Sequence, residues 1–169
     1  MRRTARFLMV GAVLLMLGTG VALAATINGT NGQDTLFGTP GFDEINGRGA
    51  SDTIYGKGGG DILRGDFNTN PAAVEGNDKV VAGAGDDFLL GEGGNDLLNG
   101  NDGNDFIDAK DPNSNSGDTS NGGRGRDEIE STDRERDTVD CGPGSRDTVR
   151  YDRRFDTVKN CERKFPSPE

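Results

Sequence analysis

Ala82-Gly83-Ala84-Gly85-Asp86-Asp87-Phe88-Leu89-Leu90, Gly91-Glu92-Gly93-Gly94-Asn95-Asp96-Leu97-Leu98-Asn99 and Gly100-Asn101-Asp102-Gly103-Asn104-Asp105-Phe106-Ile107-Asp108 are three successive nine-residue rows in one register. In each row the sixth residue is Asp, the eighth is aliphatic and a glycine stands two before the Asp. Working outward, the same Asp-x-aliphatic triplet begins at Asp34, Asp43, Asp52, Asp61 and Asp78. Downstream it recurs at Asp118, Asp127, Asp137, Asp147 and Asp156, and only Ser120 breaks the aliphatic column. The steps between these Asp residues are 9, 9, 9, 17, 9, 9, 9, 13, 9, 10, 10 and 9. Self-similarity at a short fixed period predicts a stack of repeats, each burying its apolar residue against its neighbours.

Composition agrees. Of 169 residues only 31% are hydrophobic, whereas 28 are Gly, which disfavours a helical bundle. Glycine falls in two columns, five before the Asp (Gly47, Gly56, Gly91, Gly100, Gly122) and two before it (Gly85, Gly94, Gly103, Gly125). Glycine at such spacing permits a tight turn with positive φ. The triplet then reads as a very short strand with one apolar side chain inward. Two rows make one coil of an all-β parallel β-roll, with coils about 4.8 Å apart.

That geometry creates an electrostatic problem. Rows alternate sides, so Asp34 stacks near Asp52, Asp43 near Asp61, Asp78 near Asp96 and Asp87 near Asp105. Two carboxylates about 5 Å apart repel by roughly 3 kcal/mol at an effective dielectric of about 20. One buried aliphatic side chain per row contributes only about 1.5–3 kcal/mol. A divalent cation between stacked Asp residues reverses the sign of the main term, and carboxylates with turn carbonyls suit Ca²⁺.

The row Gly91 to Asn99 resembles the RTX, or haemolysin-type, calcium-binding nonapeptide, Gly-Gly-x-Gly-x-Asp-x-aliphatic-x. The likeness is best from about Asn28 to Asp108 and continues more weakly to Val158. It implies several Ca²⁺ ions held between coils by Asp and by backbone carbonyls. Carried over by position, the ligands are Asp34, Asp43, Asp52, Asp61, Asp78, Asp87, Asp96 and Asp105, with the turn glycines Gly85, Gly94 and Gly103.

Three segments follow. Arg2, Arg3 and Arg6, the apolar run Phe7–Leu17 and the small-x-small Ala22-Leu23-Ala24 have the layout of a secretory signal peptide, residues 1–24, cleaved to leave Ala25 first. The run is too short for a membrane span. Residues 25–120 are the calcium-binding rows, with 17 acidic and 5 basic residues and insertions around Phe67–Val74 and Asp108–Asn115. Residues 121–169 hold 12 acidic and 11 basic residues and are expected to cap the stack. Arg126, Arg136 and Arg146 each precede a ladder Asp there, which suggests Arg–Asp pairing in place of calcium. Cys141 and Cys161, the only cysteines, are expected to form a disulfide in an exported chain.

A net charge of −10 disfavours nucleic acid and anionic membrane surfaces as partners. With no His, no Walker spacing and no cluster of polar groups outside the ladder, the chain is not expected to be an enzyme. The reading is a secreted, extracellular calcium-binding repeat protein whose roll folds on Ca²⁺, with a structural or surface-interaction role. An accessory or adhesion module that binds a cell surface or polysaccharide is the alternative.

Overall fold

The computed structural model describes residues 23–66, 75–111 and 116–168. In chain order its strands are β1 (Ala25–Asn28), β2 (Thr35–Phe37), β3 (Asp43–Asn46), β4 (Thr53–Gly58), β5 (Ile62–Arg64), β6 (Lys79–Ala84), β7 (Phe88–Leu90), β8 (Leu97–Asp102), β9 (Phe106–Asp108), β10 (Thr119–Arg124), β11 (Glu128–Ser131), β12 (Thr138–Asp140), β13 (Thr148–Tyr151), β14 (Thr157–Lys159) and β15 (Arg163–Pro166). Odd-numbered strands form one eight-stranded sheet in sequence order and even-numbered strands a seven-stranded one. Every pairing is parallel. The chain is thus an all-β parallel β-roll in which two rows make one coil, as the nine-residue period predicts.

Register follows the triplets. Ile45 pairs with Leu63, Leu63 with Leu89 and Leu89 with Ile107. Ladder residues of adjacent coils are 18 apart in the simplest case, 26 apart across residues 67–74 and 22 apart across residues 112–115. The strands on either side of each insertion therefore remain neighbours. Both insertions lie largely outside the described residues, as does the predicted signal peptide up to residue 22.

The core is two columns of aliphatic side chains facing each other. Ile45, Leu63, Leu89, Ile107, Ile129 and Val149 come from one sheet, and Ile54, Val80, Leu98 and Val139 from the other. All of these are fully buried. Ser120 takes the place between Leu98 and Val139, is equally buried, and its hydroxyl has no hydrogen-bond partner. At the far end Cys141 and Cys161 form the expected disulfide, with Cα atoms 5.1 Å apart, tying the turn after β12 to the turn after β14. Outside, the parallel register stacks like on like. Phe37 lies on Tyr55 with ring centroids 5.2 Å apart, and Phe88 on Phe106 at 4.8 Å. Among the described residues no helix is long and apolar enough to cross a membrane.

Two outcomes follow from this packing. Ser120→Val completes the apolar column and removes an orphaned buried hydroxyl, so stability in saturating Ca²⁺ should rise by about 1–3 kcal/mol, read from urea melts. Reducing the disulfide should remove roughly 3 kcal/mol from the last coil only. Limited proteolysis in Ca²⁺ should then cut between residues 141 and 161 while the rows before residue 108 stay protected.

Candidate metal centre

The ladder Asp residues stand at the two corners where the chain turns from one sheet into the other. Each is tied into the stack twice. Its carbonyl accepts the N–H of the residue that opens the next coil's strand, as in Thr53 to Asp34 and Phe88 to Asp61. Its carboxylate Oδ1 accepts the N–H of the ladder residue one coil back. At one corner the N–H groups of Asp34, Asp52, Asp78, Asp96, Asp118 and Asp137 donate in turn to Asp52, Asp78, Asp96, Asp118, Asp137 and Asp156, at 2.6–3.1 Å. At the other, Ala25, Asp43, Asp61, Asp87, Asp105 and Asp127 donate to Asp43, Asp61, Asp87, Asp105, Asp127 and Asp147, at 2.6–2.9 Å. Asp147 donates to Glu162, which ends that column. The stacking expected for the four Asp pairs is therefore present, and it continues through both insertions.

The second carboxylate oxygen divides the ladder in two. For Asp52, Asp61, Asp78, Asp87, Asp96, Asp105, Asp118, Asp127, Asp137 and Asp147, Oδ2 is buried and has no hydrogen-bond partner. In the first row at each corner it does have one. Thr30 donates its N–H and hydroxyl to Asp34 Oδ2, and Thr39 gives its N–H to Asp43 Oδ2 and its hydroxyl to Oδ1. In later rows the residue four before the Asp turns away with positive φ, at Arg48, Lys57, Gly83, Glu92, Asn101 and Gly123. The Arg48 N–H, for example, goes to Gly65 of the next coil.

Corner glycines leave room beside the orphaned oxygens. A methyl group on Gly47 would stand 2.4 Å from Asp52 Oδ2 and 2.3 Å from the Gly65 carbonyl oxygen. On Gly100 it would stand 2.1 Å from Asp105 Oδ2 and 2.5 Å from the Gly122 carbonyl. The second glycine column packs coil on coil. Gly85, Gly94 and Gly103 have φ of 132°, 116° and 149°, and a Cβ there would collide with the carbonyls of Gly59, Gly76 and Gly85. Carboxylate and carbonyl oxygens thus line each corner, a hard-donor set that suits Ca²⁺. Among the described residues no three His, Cys, Asp or Glu side chains converge. A cation here must draw on the backbone.

The room narrows toward the C-terminus, and the reason is a correction to the sequence reading. None of the ion pairs found joins Arg126, Arg136 or Arg146 to a ladder Asp; the pairs run along the outer faces, such as Arg124–Asp102 and Arg150–Glu128. The ladder carboxylates are buried, and a side chain one residue earlier points to the opposite face. What changes instead is the corner residue. At one corner Gly47, Gly65 and Gly91 give way to Ala109, Ser131 and Tyr151; at the other the column runs Gly56, Ala82, Gly100 and Gly122 and then gives way to Cys141, so that alanine also stands beside Asp87. Ser131 even contacts Asp156 Oδ2 through its hydroxyl. Asp127, beside Gly122, keeps the open corner and belongs with the earlier rows. Its signal, a glycine five residues before the Asp, is present in the sequence.

Burial with only one oxygen partnered makes these carboxylates harder to ionise. Burial, opposed by the N–H bond and reinforced by the neighbouring carboxylates, pushes Asp61 and Asp127 up to about 6 from the ordinary 3.8. It pushes Asp52, Asp78, Asp87 and Asp105 up to about 7, and Asp118 and Asp137 to about 8. Asp96 reaches about 10, through burial and the approach of Asp118. A methyl on Gly91 would lie 2.4 Å from Asp96 Oδ2 and 3.3 Å from Asp118 Oδ2, so two carboxylates share that corner.

Because the folded values are raised, this contribution to the metal-free roll is fully present below about pH 4 and is lost as pH rises through the folded values, from about 6 at Asp61 to about 10 at Asp96. A cation must displace these protons. Calcium affinity should therefore fall steadily from about pH 8 to pH 5.5, with protons released on binding. Calorimetry in buffers of different ionisation enthalpy checks both, and a flat affinity would contradict the buried-carboxylate account.

Comparison with known proteins places a family on this geometry. The family model described as RTX calcium-binding nonapeptide repeat (4 copies) matches residues 28–63 and 73–107. No curated protein matches the chain. The matched stretches hold ladder residues Asp34 to Asp105 and the corner glycines Gly47, Gly56, Gly91 and Gly100. These stretches are haemolysin-type RTX calcium-binding nonapeptide repeats, carried on the parallel β-roll of this chain.

Proposed function

We propose that this is a secreted protein whose roll assembles when Ca²⁺ enters the corners, and that it serves outside the cell as a calcium-set structural or surface-interaction element. The observation that carries this is the run of buried, partnerless Oδ2 atoms from Asp52 to Asp147. Without a counter-charge each buried carboxylate either binds a proton or opposes stacking. With Ca²⁺, carboxylate and carbonyl oxygens become ligands and successive coils are joined. The ligands we assign, each beside a corner glycine, are Asp52, Asp61, Asp78, Asp96, Asp105 and Asp127; at Asp87 the corner residue is Ala82, as it is Ala109 at Asp118. Asp34 and Asp43 are served by Thr30 and Thr39. Asp137 faces a corner filled by Ser131. Export fits both halves of this reading, since the disulfide suits an oxidising compartment and Ca²⁺ is plentiful outside cells. We assign no catalytic role.

A surface role has its own support. The Phe88–Phe106 stack is partly exposed on the outer face of one sheet and the Phe37–Tyr55 stack on the other, with Lys57 over the Phe37 ring at 5.8 Å. Rigid aromatic ridges of this kind offer contact area at little entropic cost.

In excess chelator at neutral pH the chain from Ala25 onward should show little β structure by far-UV circular dichroism, and millimolar Ca²⁺ should restore it. An unchanged spectrum would refute calcium-dependent folding. Site assignment is tested by calorimetric stoichiometry. Asp96→Asn and Asp127→Asn, which keep the Oδ1 acceptor, should each lower the number of ions bound. Asp137→Asn should leave it unchanged, and equal losses in all three would overturn the corner-residue rule.

A further inference from the structure

We propose that cleavage after Ala24 creates the first cap of the roll: the new α-ammonium of Ala25 becomes the counter-charge of Asp43. The proposal rests on the export reading above and goes beyond it in assigning the mature terminus a place in the ladder. Two independent boundaries coincide at this bond. The small-x-small motif Ala22-Leu23-Ala24 puts the cut between residues 24 and 25. The first strand also begins at Ala25, paired with Asp43 in register.

The Ala25 nitrogen occupies the position that an Asp nitrogen occupies in every later coil. It lies 2.8 Å from Asp43 Oδ1, the same separation as the Asp43 nitrogen from Asp61 Oδ1. Asp43 is completely buried, and among the described residues no Lys or Arg pairs with it. Its other donors, the Thr39 N–H and hydroxyl, are neutral. Leu23 and Ala24 are exposed and outside any strand, so the bond can be reached. In the uncut chain the Thr39 hydroxyl is shared between Asp43 and the Leu23 carbonyl, 2.7 Å away. Removing Leu23 leaves that hydroxyl to Asp43, at 3.0 Å, and to the longer contact with the Gly41 carbonyl at 3.5 Å.

Hydrolysis by an external endopeptidase adds one water across the Ala24–Ala25 bond. The Ala24 carbonyl carbon takes the hydroxyl and leaves as a carboxylate, and the Ala25 nitrogen takes protons to become an ammonium. A neutral single donor is thereby exchanged for a charged triple donor at the same point, and charge-assisted hydrogen bonds are about twice as strong as neutral ones.

The test begins with protein purified from the medium. Intact mass and terminal sequencing should give Ala25 as the first residue; any other start overturns the proposal by removing its premise. In saturating Ca²⁺, the α-amine of the folded mature protein should react with an acylating reagent about tenfold more slowly than in urea, the factor given by one added charge-assisted bond. Equal rates would overturn the ion pair while leaving the export reading standing. A double-mutant cycle then isolates the pair. A one-residue Gly extension before Ala25 should speed aminopeptidase trimming of the first coil about tenfold in the native background and have no effect with Asp43→Asn. An equal effect in both backgrounds would also overturn it. The labelling measurement needs no variant, so the proposal stays open to refutation if Asp43→Asn fails to fold.

Discussion

Everything in this roll depends on one contact, the carboxylate of a ladder Asp accepting the backbone N–H of the ladder residue one coil back. It fixes the register of two parallel sheets whose strands are too short and whose core is too thin to fix it alone. It also forces each carboxylate into the interior, where an ionised group is costly unless compensated. The hydrogen bond satisfies Oδ1 and leaves Oδ2 to be met by something else. Fold and calcium binding are two aspects of that one placement.

Much of this was legible in the residues. The Asp-x-aliphatic register alone yields the strands, the two-row coil, the facing aliphatic columns and the stacked carboxylates, because a solenoid repeats one local solution and every copy of the pattern reports the same environment. Cys141 and Cys161 gave their pairing by number and context. The misreading lay in the C-terminal third. Arg126, Arg136 and Arg146 looked like substitutes for calcium because they sit beside ladder Asp residues in sequence. Adjacent strand residues face opposite ways, so that neighbourhood is lost on folding. The informative change was quieter: Ala109, Ser131, Tyr151 and Cys141 in the columns that, Ala82 apart, glycine holds in the earlier rows. A column position has meaning only once the coil is closed and the space beside it is seen.

The same logic explains why the first rows differ. At Thr30 and Thr39 a hydroxyl and an N–H meet the oxygen that later rows leave open. At Arg48, Lys57, Gly83, Glu92, Asn101 and Gly123 the corresponding residue adopts positive φ, and Arg48 and Gly123 donate across to the next coil instead. A small change in turn geometry thus decides whether an Asp is completed by its own chain or awaits an ion.

The ladder also has a direction, since from Asp43 and Asp52 onward each carboxylate reaches toward the N-terminal neighbour and caps that neighbour's N–H from the C-terminal side. A parallel stack with such polarity has the makings of a fibre: the trailing face of one molecule could, in principle, extend the leading face of another, much as strands add in cross-β assemblies. Here neither face offers the repeating chemistry that growth would need. Asp34 and Asp43 are satisfied by threonines within their own rows, while Glu162 takes the final donor at one corner and the disulfide clamps the turn beside it. Among the described residues the ladder is thus closed at these points by side chains of its own rows.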